Sequence, residues 1–102
     1  SVAPAIEAGP AITQLSPAYP NPFAGSTTID FSLAKAGPVK VSVYAVNGRQ
    51  LRVLANGAHA PGVYRLEWDG RDDQGRIMPA GLYFVQMSAN GARFTNKISR
   101  LR

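Results

Sequence analysis

Residues 27–43 read Thr27-Thr28-Ile29-Asp30-Phe31-Ser32-Leu33-Ala34-Lys35-Ala36-Gly37-Pro38-Val39-Lys40-Val41-Ser42-Val43. Ile29, Phe31 and Leu33 fall on alternate positions, as do Val39, Val41 and Val43, with polar residues between them. Successive side chains of an extended strand point to opposite faces, so a period of two describes half-buried antiparallel strands. Lys35-Ala36-Gly37-Pro38 supplies the turn chemistry that separates the two runs. The stretch predicts a sheet with one apolar face, and such a face needs a second layer to cover it.

The same pattern continues downstream. Asn47-Gly48 predicts a two-residue hairpin turn with positive φ angles, and Gln50–Leu54 is the returning strand. In Gly62–Asp69, Tyr64, Leu66 and Trp68 share one face. A polar loop from Gly70 to Arg76 leads to Ala80-Gly81 and the apolar strand Leu82–Met87. Asn90-Gly91 predicts a second tight hairpin before a last strand from Ala92 to Leu101. Upstream, two prolines hold Tyr19-Pro20-Asn21-Pro22-Phe23 extended. Because proline lacks the amide proton of a central ladder, this segment belongs at an edge or a domain entrance. Tyr19 and Phe23 are expected to plug one end of the core. Six or seven short strands with no amphipathic helix predict an all-β antiparallel sandwich.

The chain has 102 residues, the size of one domain. Residues 1–16, rich in Ala, Pro and Gly, read as a linker, with Ile12 and Leu15 able to start an edge strand; residues 17–102 form the domain. There is no cysteine, so neither a disulfide nor a thiolate metal site contributes. No apolar run approaches the ~20 residues of a membrane span, and no transmembrane segment is expected. The chain opens at Ser1 without a signal peptide and is expected to be a piece of a larger precursor. A net charge of +5 is dispersed along the sequence. It favours acidic polymers in general, and a solvated basic surface accounts for it equally well.

Catalytic groupings are missing. With no cysteine and one histidine, His59 in a turn-rich connection, neither a thiol–imidazole pair nor a multi-histidine metal site forms. No enzyme activity, cofactor or metal is expected. Asp69, Asp72 and Asp73 offer oxygen ligands for calcium, but their spacing departs from a calcium loop and Arg71 and Arg76 sit among them. The preferred reading has Asp69 closing a turn on backbone amides and the others paired with those arginines. Tyr64, Trp68 and Tyr83 share parity with core positions, whereas Tyr44 and Phe84 lie on the opposite parity, where sugar stacking is the alternative to simple exposure.

Taken together, several motifs carry a resemblance. Tyr19-Pro20-Asn21-Pro22-Phe23, Asn47-Gly48-Arg49, Ala80-Gly81-Leu82-Tyr83-Phe84 and Lys97 near the terminus resemble the type A C-terminal sorting domain of the type IX secretion system. The loop Trp68–Arg76 looks equally like the immunoglobulin-like domain of the flagellar hook-capping protein. The resemblance implies an immunoglobulin-like sandwich of about seven strands. It also implies a non-catalytic module that directs secretion and cell-surface attachment of a Gram-negative secreted protein. Its implied partners are the outer-membrane secretion machinery, a sortase-like peptidase and anionic lipopolysaccharide, with no nucleic acid and a monomeric state. Asn21, Pro22, Phe23, Asn47, Gly48, Arg49, Gly81 and Tyr83 match the family motifs. Lys97, Ile98, Arg100, Leu101 and Arg102 form the expected recognition element: an open edge strand with a solvent-facing basic tail, read by strand addition. Two alternatives stand beside sorting: a structural spacer or assembly domain, and a carbohydrate-binding accessory module.

Overall fold

A computed structural model describes residues 12–101. The alternating stretches become strands where their periodicity places them. In chain order these are β1 (Gln14–Leu15), β2 (Thr27–Leu33), β3 (Gly37–Ala45), β4 (Gln50–His59), β5 (Gly62–Trp68), β6 (Gly81–Ala89) and β7 (Ala92–Arg100). They form two antiparallel sheets, a three-stranded one in the order β1-β2-β5 and a four-stranded one in the order β4-β3-β6-β7. The result is an immunoglobulin-like β-sandwich. The non-consecutive neighbours β2–β5 and β3–β6 show that the chain crosses between sheets instead of pairing every strand with the next.

The inward rows of the two sheets meet in one core. Ile29, Phe31 and Leu33 of β2 and Val39, Val41 and Val43 of β3 are at most 2% exposed, as are Val85 and Met87 of β6 and Ile98 of β7. Trp68 is fully buried, and its ring lies 5.4 Å from Phe23 and 5.2 Å from Tyr83. Tyr64 is half-buried and stacks on Phe31 at 5.0 Å. Edge-to-face and stacked aromatics of this kind add to the stabilisation from burial alone.

Two turns show what a dipeptide does and does not fix. At Asn90-Gly91 both residues have positive φ, 51° and 76°, and Ala89 pairs with Ala92, which is the expected two-residue hairpin. At Asn47-Gly48 the expectation is corrected. Gly48 alone is left-handed (φ 89°), its N–H donates to Ala45 O, and Ala45 N–H donates to Arg49 O. The turn is therefore centred on Val46 and Asn47, with Gly48 as the left-handed bulge residue. Asn47 instead accepts Arg49 N–H through its side chain (3.0 Å).

The proline-flanked segment serves both sheets. Tyr19 bridges to Thr28 of β2, and Phe23 bridges in parallel to Arg100 of β7. Phe23 is 1% exposed and plugs the core as expected. Tyr19 does not: it is 46% exposed and its hydroxyl donates to Asp30 Oδ2 on the outer surface.

Candidate functional site

The end of β7 is where sequence and resemblance together place recognition. Its side chains alternate like those of any strand. Lys97 is exposed, Ile98 is fully buried, Ser99 is half-buried, Arg100 is 8% exposed and Leu101 is 53% exposed. Arg102 lies outside the described residues. The expected solvent-facing basic tail is corrected at Arg100. That residue shares parity with Ile98 and turns inward. Its guanidinium carbon sits 5.7 Å from the Phe23 ring centroid, and its Nε is buried without a hydrogen-bond partner.

Gly70 completes the seat for Arg100. It has φ 78°, and a Cβ there would run into Arg100 Nε. Glycine is thus required twice over, for the left-handed backbone and for the close approach. Tyr83 is held beside it, with its hydroxyl donating to Pro79 O. Burial pushes the Tyr83 phenol above its ordinary pKa, and the nearby Arg100 charge partly opposes this. Phe23, Trp68, Tyr83 and Arg100 thus close one end of the sandwich as a single packed group.

The open edge is corrected as well. Asn21 acts as a surrogate strand residue: its Oδ1 accepts Ser99 N–H (2.9 Å) and its Nδ2 donates to Lys97 O (3.0 Å). Phe23 N–H donates to Ser99 O (3.0 Å), and Leu101 N–H donates to Phe23 O (2.7 Å). Four outward-facing backbone groups at the end of β7 are therefore occupied by the chain itself. By the same alternation, the outward backbone of Arg93 and Thr95 keeps the character of an edge. Asn96 ties the middle of β7 to the first strand, its Nδ2 donating to Leu15 O and Ser16 O.

The acidic loop is equally engaged. Asp69 Oδ1 accepts Arg71 N–H (3.1 Å), as the turn reading expects. Asp72 is 4% exposed; its Oδ1 accepts the N–H groups of Gln74 and Arg76 (both 2.9 Å), and its Oδ2 meets Arg76 Nε at 3.1 Å. Hydrogen bonding to the Arg76 backbone, followed in smaller measure by that to Gln74, lowers the Asp72 pKa. Asp73 departs from the expected pairing with Arg71 or Arg76. Its N–H donates to Leu51 O (2.8 Å), its Oδ1 accepts Val53 N–H (3.2 Å), and Arg52 Nε lies 3.7 Å away. Trp68 Nε1–H donates to Arg71 O (2.9 Å), pinning the loop to the core. These carboxylates hold amides and guanidinium groups. Among the described residues no set of three or more His, Asp or Glu side chains is arranged around a common metal position.

The motif residues Asn47, Gly48 and Arg49 lie in the β3–β4 turn, and Gly81 opens β6 opposite Arg100. The turn is not brought against the β7 end by any cross-strand pairing. Sequence reasoning missed Asn21 as an edge cap and Gly70 as the seat of Arg100. Asn21 was legible only as part of a motif, and nothing in a one-dimensional pattern links position 70 to position 100.

A model of the FlgD Ig-like domain matches residues 17–93. FlgD of P. aeruginosa aligns at 31% identity and a TM-score of 0.51, over 72% of this chain and 57% of that one. FlgD of Xanthomonas campestris, known for hook capping in flagellar assembly, aligns at 28% identity and a TM-score of 0.58, over 85% of this chain and 65% of that one. The chain thus spans less than two thirds of either FlgD. PorZ of Porphyromonas gingivalis, a surface component of the type-IX secretion system, shares the fold at 18% identity and a TM-score of 0.56, over 88% of this chain and 11% of that one. A comparison with curated proteins gave no match. No helix among the described residues is long and apolar enough to cross a membrane. With three quarters of its length matched by that family model, and with the seven-stranded sandwich that goes with it, the chain belongs to the FlgD Ig-like domain family.

Proposed function

We propose that this chain is a non-catalytic structural module of the hook-capping kind, an Ig-like domain that spaces or joins parts of a larger assembled protein. The supporting observation is how the motif residues are used. Asn21, Phe23, Gly70, Trp68, Tyr83 and Arg100 close the sandwich and seal the end of β7, so folding accounts for their presence without a reader of the C-terminus. The family match points the same way.

The sorting reading, with its secretion machinery, sortase-like peptidase and lipopolysaccharide, stands second. It is favoured by the exposed pair Lys97 and Leu101 beside the residual edge at Arg93 and Thr95. One experiment separates the two. The chain is fused behind a signal peptide and a reporter in a host that possesses type IX machinery. The structural reading expects the reporter to stay in the periplasm. Delivery to the cell surface, lost on Lys97→Gln with Leu101→Ala while the melting temperature is kept, overturns it in favour of sorting.

A further inference from the structure

The four-stranded sheet carries an outer face that the fold itself does not use. Cross-strand register orders its side chains into rows. One row runs Asn56, Lys40, Ser88, Arg93; another runs Gln50, Tyr44, Phe84, Lys97. The first row forms the floor of an open cavity of about 820 Å³, shouldered by Gly37-Pro38 and Asn90-Gly91. In the second, Tyr44 and Phe84 are half-buried neighbours, and the Tyr44 hydroxyl donates to Gln50 Oε1 (3.3 Å), which lays its ring along the row. The two aromatics that share this parity in sequence are thus side by side.

The charges on this face are uncompensated among the described residues. Among the described residues, Asp30 and Glu67 lie on the outer face of the other sheet, and Asp69, Asp72 and Asp73 lie in the 69–76 loop. Each of these aspartates has an arginine within 4.0 Å, and Glu67 accepts from Ser26 Oγ. Among the described residues, Lys40, Arg93 and Lys97 have no carboxylate in that range. A face with three cations that pair with no described carboxylate attracts a polyanion.

Spacing selects the kind of polyanion. Arg93 and Lys97 stand four residues apart on one strand, roughly 13 Å, and Lys40 stands two strands from Arg93, roughly 10 Å. A duplex nucleic acid presents a charge about every 1.7 Å and is met by dense cation clusters. Sparse cations interleaved with amides, a hydroxyl and two half-buried rings match a polymer that alternates acidic groups, hydroxyls and apolar sugar faces. We propose that this face binds an acidic polysaccharide. Lys40, Arg93 and Lys97 pair with its carboxylate or sulfate groups, Asn56, Gln50 and Ser88 meet its hydroxyls, and the Tyr44–Phe84 pair carries a sugar ring. This activity is independent of whether the module serves as a spacer or in sorting.

The test is affinity electrophoresis of the 102-residue chain through gels containing polygalacturonate, its fully methyl-esterified neutral form, poly-L-glutamate or a single-stranded oligodeoxynucleotide. Retardation by polygalacturonate above the other three is expected. Lys40→Gln with Arg93→Gln should weaken it about tenfold, as loss of two charge partners implies, and Tyr44→Ala with Phe84→Ala should weaken it comparably. Arg71→Gln, a charge removed elsewhere, should leave it unchanged, and melting curves confirm that every variant folds. No retardation overturns the proposal. So does equal retardation by poly-L-glutamate or the oligonucleotide, or full binding by the aromatic double variant, since either would reveal generic ion exchange.

Discussion

The outer faces of the two sheets are built from the same alternating strands, yet they handle polar groups in opposite ways. On the three-stranded sheet the groups are paired internally. Asp30 takes Arg65 at 3.0 Å and the Tyr19 hydroxyl at 2.8 Å, and the Arg65 bond is the main cause of its lowered pKa. The adjoining 69–76 loop behaves alike, with every carboxylate held by amides or arginines. On the four-stranded sheet, Lys40, Arg93 and Lys97 have no such partners among the described residues. Groups already satisfied within the chain stabilise it and have little left for a ligand. Unpaired groups contribute little to folding and keep their bonding capacity. The contrast separates residues that make this domain from residues available to what it meets.

Substitutions can break or sharpen that contrast. The deepest cut goes beneath both faces. Trp68→Ala removes the ring shared by Phe23 and Tyr83 and should cost roughly 3–5 kcal/mol in urea denaturation. A change under about 1 kcal/mol would mean that the two sheets do not share one packed end. Next comes the seat of the inward arginine. Gly70→Ala should cost roughly 1–3 kcal/mol from its left-handed backbone, before any clash with Arg100. Combining it with Arg100→Ala should cost less than the sum of the single changes, because the clash is then gone. Strict additivity in the double-mutant cycle would sink the proposed contact.

The paired carboxylates should register through pH. Asp72 has a folded pKa below its ordinary value, so its bonds stabilise the fold above about pH 4 and that contribution is lost as the pH falls through the folded value. Asp72→Asn should therefore lower the melting temperature at pH 7, and the gap to the parent should shrink on acidification toward pH 3. A gap independent of pH would show that charge is not what Asp72 contributes. The smallest effects belong to the unpaired face. Lys40→Gln, Arg93→Gln and Lys97→Gln should each stay within ~0.5 kcal/mol of the parent. A larger loss from any of them would place that cation in the folding group and erase the contrast between the faces.

Much of the sandwich was legible in one dimension. Ile29, Phe31 and Leu33 announced their strand by parity, and Asn90-Gly91 announced its turn, because both signals are local. The candidate recognition strand was less legible. Ile98 was expected in the recognition element and is instead fully buried, and Arg100, two positions on, turns inward with it although a sequence pattern defaults to placing an arginine in solvent. Asn47-Gly48 carried the same dipeptide signal as Asn90-Gly91 and formed a different turn. The β3–β4 ladder brings register shifts between Val41 and Ser42 and between Val43 and Tyr44, and these change the loop that closes it.

By itself the sequence determined the strands and most of their inward faces, since side-chain alternation and turn propensity act over a few residues. Tertiary structure alone decided which strands distant in the chain are neighbours, and three consequences follow from that. Arg100 is buried because Gly70 and Phe23 make a seat for it across the sandwich. The edge of β7 is sealed because Asn21, 78 positions before Ser99, is folded back against it. Tyr44 and Phe84 meet because β3 pairs with β6 although β4 and β5 lie between them in the chain. Each of these contacts depends on loop closure and on packing between distant residues, and neither leaves a periodic trace along the chain.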